Sequence, residues 1–219
     1  MAVAFGGLTQ AVGFGPPALN FPSTSGSDIW GLFFMACDAE GVSVTIDGVA
    51  MTKLQGGSAG FASADYALFQ LQNPTSGGAI VVTDPAVGLA NNYIATYYTG
   101  VGSIRGSAEG AGSSTTATLS QTTVANDWAV GVLYDLSEAL TPTVGTARGS
   151  AQTDGDGGVS RWLDNIAAGA TTDFTGTFAG STPWISVGAV LVPAGGGGGP
   201  GVGAVRNYRV NQLFLPESL

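Results

Sequence analysis

Histidine is absent from this 219-residue chain. That removes the commonest general base and the commonest zinc ligand, leaving any catalysis to carboxylates, tyrosines or the one lysine, Lys53. Charge is scarce as well. Charged residues make up 10% of the chain, against about 25% in a typical soluble domain, so Ser, Thr, Gly and Asn must cover most of the surface. Cysteine occurs once, as Cys37 inside the apolar run Trp30-Gly-Leu-Phe-Phe-Met-Ala-Cys37. An intrachain disulfide is excluded, and the thiol reads as a small buried hydrophobe. No run approaches the roughly 20 apolar residues of a membrane span. The opening Met1-Ala-Val-Ala-Phe-Gly-Gly-Leu8 lacks the basic stretch of a secretory signal. Neither membrane insertion nor export by the usual route is expected.

What the chain has in quantity is glycine, 36 residues, and acid. Its net charge is −9, with 6 basic against 15 acidic residues. Residues 1–194 hold four basic against 14 acidic residues, a net of −10, while residues 195–219 hold Arg206 and Arg209 against Glu217, a net of +1. An acidic body lacks the Lys/Arg patches that contact phosphate backbones, so nucleic acid is not an expected partner.

Short β segments separated by turn residues run through residues 1–194. Ile29 to Cys37 is continuously apolar, as in a central strand covered on both faces. Val42-Ser-Val-Thr-Ile46 alternates, Asp47-Gly48 signals a two-residue type I′ turn, and Val49 to Leu54 returns as the partner strand. Gly56 to Gly60 reads as a loop. Tyr66 to Gln72, Ala79 to Thr83 and Tyr93 to Thr99 read as strands, residues 102–112 as a glycine-rich surface loop, and Ser113 to Ser120 as a half-exposed strand. Trp128 to Tyr134 places Ala129 and Gly131 on one face, small enough for another layer to approach closely. Ser137 to Leu140 is the best candidate for a helical turn. Val144 to Gln152 and Val159 to Leu163 read as a broken hairpin, followed by strands at Thr172 to Phe178 and Trp184 to Val192. About eleven to thirteen short strands with almost no helix point to an all-β fold, an antiparallel β-sandwich of jelly-roll type. It forms one body, residues 1–194.

Ala194 is followed by Gly195 to Gly199, Pro200 and Gly201 to Gly203. Residues 195–203 read as a flexible Gly-rich linker, and residues 204–219 as an extended C-terminal docking arm. The arm is too apolar for a solvated tail and too short to bury its own surface. Tyr208, Val210, Leu213 and Phe214 are its candidate partner-docking anchors, with Arg206 and Arg209 as orienting charges that suit an acidic surface on another copy. Strand addition is the mode such an arm would use.

Motifs for chemistry are thin. Gly56-Gly-Ser58-Ala-Gly60 matches the nucleophile-elbow pattern but has no histidine partner and no helix to open. Gly100 to Gly106 misses dinucleotide spacing, and no P-loop lysine exists. Acidic residues such as Asp47, Asp84 and Asp127 sit at turns, where their side chains serve the backbone. Asp154 and Asp156, in Thr153-Asp-Gly-Asp-Gly-Gly158, are the candidate metal residues: two carboxylates on bent glycine backbone offer oxygens to Ca²⁺, though a third ligand and a terminal glutamate are missing and a plain turn is the simpler reading. No other cofactor is indicated. Trp30, Trp128 and Trp184 lie within apolar strands and read as core. Trp162, beside the Asp/Gly loop, is the tryptophan expected at the surface. Tyr97 and Tyr98 are adjacent, so one ring points away from the core unless both faces are covered. Trp162 and Tyr98 are therefore the candidate ligand residues if the sandwich binds glycans.

The hairpin Val44-Thr-Ile-Asp-Gly-Val-Ala-Met-Thr52, the unit Leu68-Phe-Gln-Leu-Gln-Asn-Pro-Thr-Ser-Gly-Gly-Ala-Ile-Val-Val-Thr83 and the ending Tyr97-Tyr-Thr-Gly-Val101 carry a family likeness. In strand order and turn style, residues 28–192 resemble the β-sandwich virion structural proteins of tailed bacteriophages. The resemblance implies a non-enzymatic virion protein, in capsid decoration, a head fibre or a tail-associated position, that self-assembles as a homo-oligomer and meets other virion proteins. It supplies no catalytic residues. A carbohydrate-binding or adhesin-type β-sandwich module, taking surface glycans as its partner, is the alternative.

Overall fold

The computed structural model describes residues 2–14, 18–37, 41–58, 65–83, 90–135, 140–152 and 158–195. All regular structure among them is β, and every sheet pairing is antiparallel. The first nine strands are β1 (Ala4–Phe14), β2 (Leu19–Asn20), β3 (Trp30–Cys37), β4 (Ser43–Ile46), β5 (Val49–Ala50), β6 (Thr52–Ser58), β7 (Asp65–Gln72), β8 (Ala79–Thr83) and β9 (Ala90–Thr99). They are followed by β10 (Val101–Thr122), β11 (Trp128–Asp135), β12 (Thr141–Val144), β13 (Thr146–Gln152), β14 (Val159–Ile166) and β15 (Thr171–Pro193).

Three sheets form, in the orders β2-β8-β4-β5, β1-β9-β3-β7-β6 and β10-β15-β11-β14-β13, with β12 paired to β15 off the main path. They stack with the five-stranded sheet in the middle. Its β3 lies between β7 and β9, as the unbroken apolar run of that strand requires, and alternate residues enter opposite cores. Phe33 and Met35 pack with Val44, Ile46, Ile80 and Val82 of the small sheet. Leu32, Phe34 and Ala36 pack with Val130, Val132, Trp162, Val187 and Leu191 of the large sheet. The same alternation resolves the adjacent tyrosines: Tyr97 is buried in the first core and Tyr98 in the second, because both faces are covered.

A further layer comes from β10 and β15 themselves. They form one long ribbon that folds back over the large sheet. Ala117, Leu119, Phe174 and Phe178 from its far half pack on Ala129, Leu133 and Leu163. The Ser186 hydroxyl of the near half donates to the Thr118 carbonyl of the far half at 2.7 Å. The bend lies where the ladder jumps from Ser114↔Thr182 to Thr116↔Thr177, so that Thr115 faces residues 178–181, a bulge that turns the ribbon. The closeness anticipated at Gly131 is real: a Cβ there would lie 2.7 Å from Leu119 Cδ2 and 3.0 Å from Phe174 Cδ2.

Several sequence expectations change. The Asp47-Gly48 turn forms, with φ of 48° and 79° as type I′ requires, but the returning segment is not one strand. Only Val49 and Ala50 pair with β4. The chain then passes the buried Met51 and becomes β6, an edge of the middle sheet paired with β7. Gly56, Gly57 and Ser58 belong to that strand rather than to a loop. Residues 102–112 are strand too. Trp184 lies across Gly110 and Gly112, where a Cβ on Gly112 would come within 2.8 Å of its ring, so an aromatic covers what a glycine leaves bare. Thr172 to Phe178 and Trp184 to Val192 are two halves of one strand. The broken hairpin is present as β13 and β14. Residues 137–139 of the suggested helical turn and the side chain of Cys37 lie outside what is described.

Candidate functional site

A buried polar group in the second core centres on Tyr98. Its hydroxyl donates to Asp164 Oδ2 at 3.0 Å and accepts from the Trp162 indole at 2.9 Å. Asp164 is 1% exposed and accepts from Arg148 Nε at 2.9 Å and 2.8 Å on its two oxygens. Arg148 in turn covers the Phe5 ring, 4.8 Å from its centroid. Burial, reinforced by the Asp164 carboxylate, holds the Tyr98 pKa well above the usual value, so the hydroxyl stays protonated and can donate. The hydrogen bond to Asp164 raises the pKa of Arg148. Every member of this chain has a partner, and its role is to join β9 of the middle sheet to β13 and β14 of the large one. Between the same two sheets, Tyr66 donates to Glu109 Oε2 at 2.8 Å, and burial followed by that bond raises its pKa.

Trp162 is 0% exposed, which corrects its expected place at the surface. The neighbouring loop misled because β14 alternates, and Trp162 faces inward beside Ser160 and Asp164. Tyr98 is equally buried. Neither ring presents a face on which a sugar could stack. The three tryptophans assigned to the core are only half buried, packed on its flanks. Asp154 and Asp156 lie outside the described residues, as do residues 196–203 of the linker and the arm with Arg206, Tyr208, Arg209, Val210, Leu213 and Phe214. Among the described residues no three Cys, Asp or Glu side chains are grouped to hold a metal, and no helix is long and apolar enough to cross a membrane.

Two features that residue patterns did not mark stand out on β10. First, it ends the order of its sheet and, among the described residues, pairs along its 22 residues with β15 alone. A sheet edge of that length presents a row of main-chain donors and acceptors. Second, the fold-back leaves a cleft of about 270 Å³ between the two halves of the strand, with Arg105, Gly106 and Ser107 on one side, Ser120 and Gln121 on the other, and the buried Val190 beneath. Arg105 is anchored there. Its Nε and Nη2 donate to Asp127 at 2.8 Å and 3.2 Å, raising its pKa, while Asp127 also accepts from the Val124 amide at 2.9 Å and so fixes the turn before β11. Gln121 is 2% exposed and donates through Nε2 to the Val130 carbonyl at 2.8 Å, but its Oε1 has no partner. A buried acceptor left unsatisfied costs about 1–3 kcal/mol.

No protein-family model, no curated protein and no solved structure matches this chain.

Proposed function

We propose that the chain is a non-enzymatic structural subunit that assembles with copies of itself, in the setting its sequence resembles, the particle of a tailed bacteriophage. The observation that carries this is the unpaired edge of β10. Main-chain groups along it can take an extended segment from a neighbour, and the apolar arm of residues 204–219 is such a segment. The body ends beside the start of this edge, where the Ala194 amide donates to the Gly100 carbonyl at 2.7 Å. By composition, a flexible linker of nine such residues would span roughly 15–18 Å on average. From that exit an arm returning to its own β10 runs parallel to it, whereas an arm from a second copy is free to approach antiparallel, the stronger pairing. Docking on a neighbour also removes the exposed edge that would otherwise invite uncontrolled association. The face-to-face antiparallel sheets support a jelly-roll-type description of the body as part of the same reading.

The test is the mass of the protein in solution. By sedimentation, the full chain forms a defined oligomer, and Leu213→Asp with Phe214→Asp returns it to monomers without changing its Tm. Persistence of the oligomer in that variant, or a monomeric wild type, refutes assembly through the arm.

A further inference from the structure

We infer that Glu109 is the docking point on β10 for Arg209 of a neighbouring copy's arm, which fixes the register of the strand addition. The inference rests on the assembly reading above and names the surface that reading leaves open. Charge narrows the choice. β10 carries one acidic residue, Glu109, and one basic residue, Arg105, whose charge Asp127 neutralises. Glu109 is exposed, and among the described residues no cation pairs with it. Its Oε2 accepts from the Tyr66 hydroxyl at 2.8 Å, which holds the carboxylate in place and leaves Oε1 for a further donor. The arm supplies Arg206 and Arg209, on a segment whose net charge is +1 against −10 for the body.

The two faces of β10 decide between the arginines. Glu109, Ala111 and Ser113 are exposed on one face. On the other, Ala108 packs against the cluster of Leu119 and Phe174, and Trp184 lies across Gly110 and Gly112. In an antiparallel pair, residues directly opposite share a face and successive residues change face. Arg209 opposite Glu109 therefore puts Asn207 opposite Ala111 and Asn211 opposite Ser107, with all three polar side chains on the exposed face. On the covered face, Tyr208 falls opposite Gly110 and Val210 opposite Ala108, so an aromatic ring meets a strand position that lacks a side chain. Leu213 and Phe214 then reach the level of Ile104, which is partly buried against the second core. Arg206 opposite Glu109 does the reverse: Asn207 meets Ala108, and Tyr208 turns to the exposed side. The segregation of polar from apolar side chains selects Arg209.

Association constants of the full-length protein, from sedimentation equilibrium at low ionic strength, test the pair. Glu109→Arg and Arg209→Glu each weaken assembly at least about tenfold, because like charges then oppose each other. Mixing these two variants restores it to within about threefold of the wild type, since each edge finds an arm of opposite charge on the other copy. Combining Glu109→Arg with Arg209→Glu in one chain also restores assembly, whereas combining it with Arg206→Glu does not. Glu109→Gln keeps an acceptor for Tyr66 and removes only the charge. It weakens association about two- to fivefold and serves if Glu109→Arg misfolds. Suppose Leu213→Asp with Phe214→Asp breaks the oligomer, but the reversed charges leave it unaltered or no partner reversal rescues it. The register is then overturned while assembly through the arm stands, and rescue by Arg206→Glu overturns it equally. Rescue in the doubly reversed chain but not in the mixture places the arm on its own edge and overturns docking between copies. A monomeric wild type refutes the assembly reading itself, and this inference with it.

Discussion

Replacing Gly188 with alanine tests whether the β10–β15 ribbon lies folded on the large sheet. Gly188 on β15 stands opposite Gly131 on β11, and these two residues without side chains form the floor beneath Leu119. A Cβ at Gly188 would overlap the Val130 carbonyl oxygen, and would lie 2.6 Å from Gln121 Nε2 and 2.8 Å from Leu119 Cδ2. Leu119 can rotate away at its far end, but the carbonyl belongs to the backbone of β11 and cannot. Overpacking of this kind costs about 1–3 kcal/mol, and losing the Gln121 bond to Val130 adds about 1 kcal/mol. The sum, about 2–4 kcal/mol, lowers Tm by roughly 4–16 °C in a chain of this length. Gly57→Ala is the control. It has open space around it and no positive φ, so it gains about 0.5 kcal/mol from the reduced freedom of the unfolded chain. Urea unfolding followed by tryptophan fluorescence, with a thermal scan, reads both. If Gly188→Ala unfolds together with Gly57→Ala, the ribbon does not pack where it is described and the cleft beneath it does not exist.

The ion pair in the second core gives another test. Arg148→Ala leaves the 1%-exposed Asp164 carboxylate without its cation and costs about 3–5 kcal/mol in urea unfolding; a loss below about 1 kcal/mol would show that Arg148 is only a surface neighbour. Tyr98 makes stability fall in alkali. Its folded-state pKa is raised, so the stabilisation is complete below the unfolded value of about 10 and declines above it, where the unfolded chain loses the proton first. The expected slope from this group is about 1.4 kcal/mol per pH unit above pH ~10. Tyr98→Phe removes that component while lowering stability at neutral pH, and an unchanged alkaline slope in the variant would contradict the assignment.

Strand identity was readable wherever a local rule sufficed. Asp47-Gly48 specified its turn, because few residues besides Gly, Asn and Asp tolerate positive φ. The unbroken run of β3 announced a strand covered on both sides, and the small face at Ala129 and Gly131 announced a close neighbour. The misreadings share a cause. Glycine weakens a strand when taken alone, so residues 102–112 and 56–60 read as loops. In the fold, Trp184 covers Gly110 and Gly112, and β7 supplies the ladder for Gly56 and Gly57. Trp162 was misplaced because the neighbouring Asp/Gly loop suggested the surface, whereas the alternation of β14 turns the ring inward, where its indole donates to Tyr98 of β9.

Composition, the absence of histidine and the alternating segments set the β class and narrowed the chemistry, since they depend on backbone preference and side-chain inventory. Which strands pair, that Met51 carries the chain from one sheet to another, and that Arg105 and Gln121 of the same strand line one cleft follow from long-range packing. A ribbon that bends onto its own sheet brings together residues that no short window of sequence contains. The contacts deciding that bend, Leu119 and Phe174 over Gly131, join residues from three separate strands.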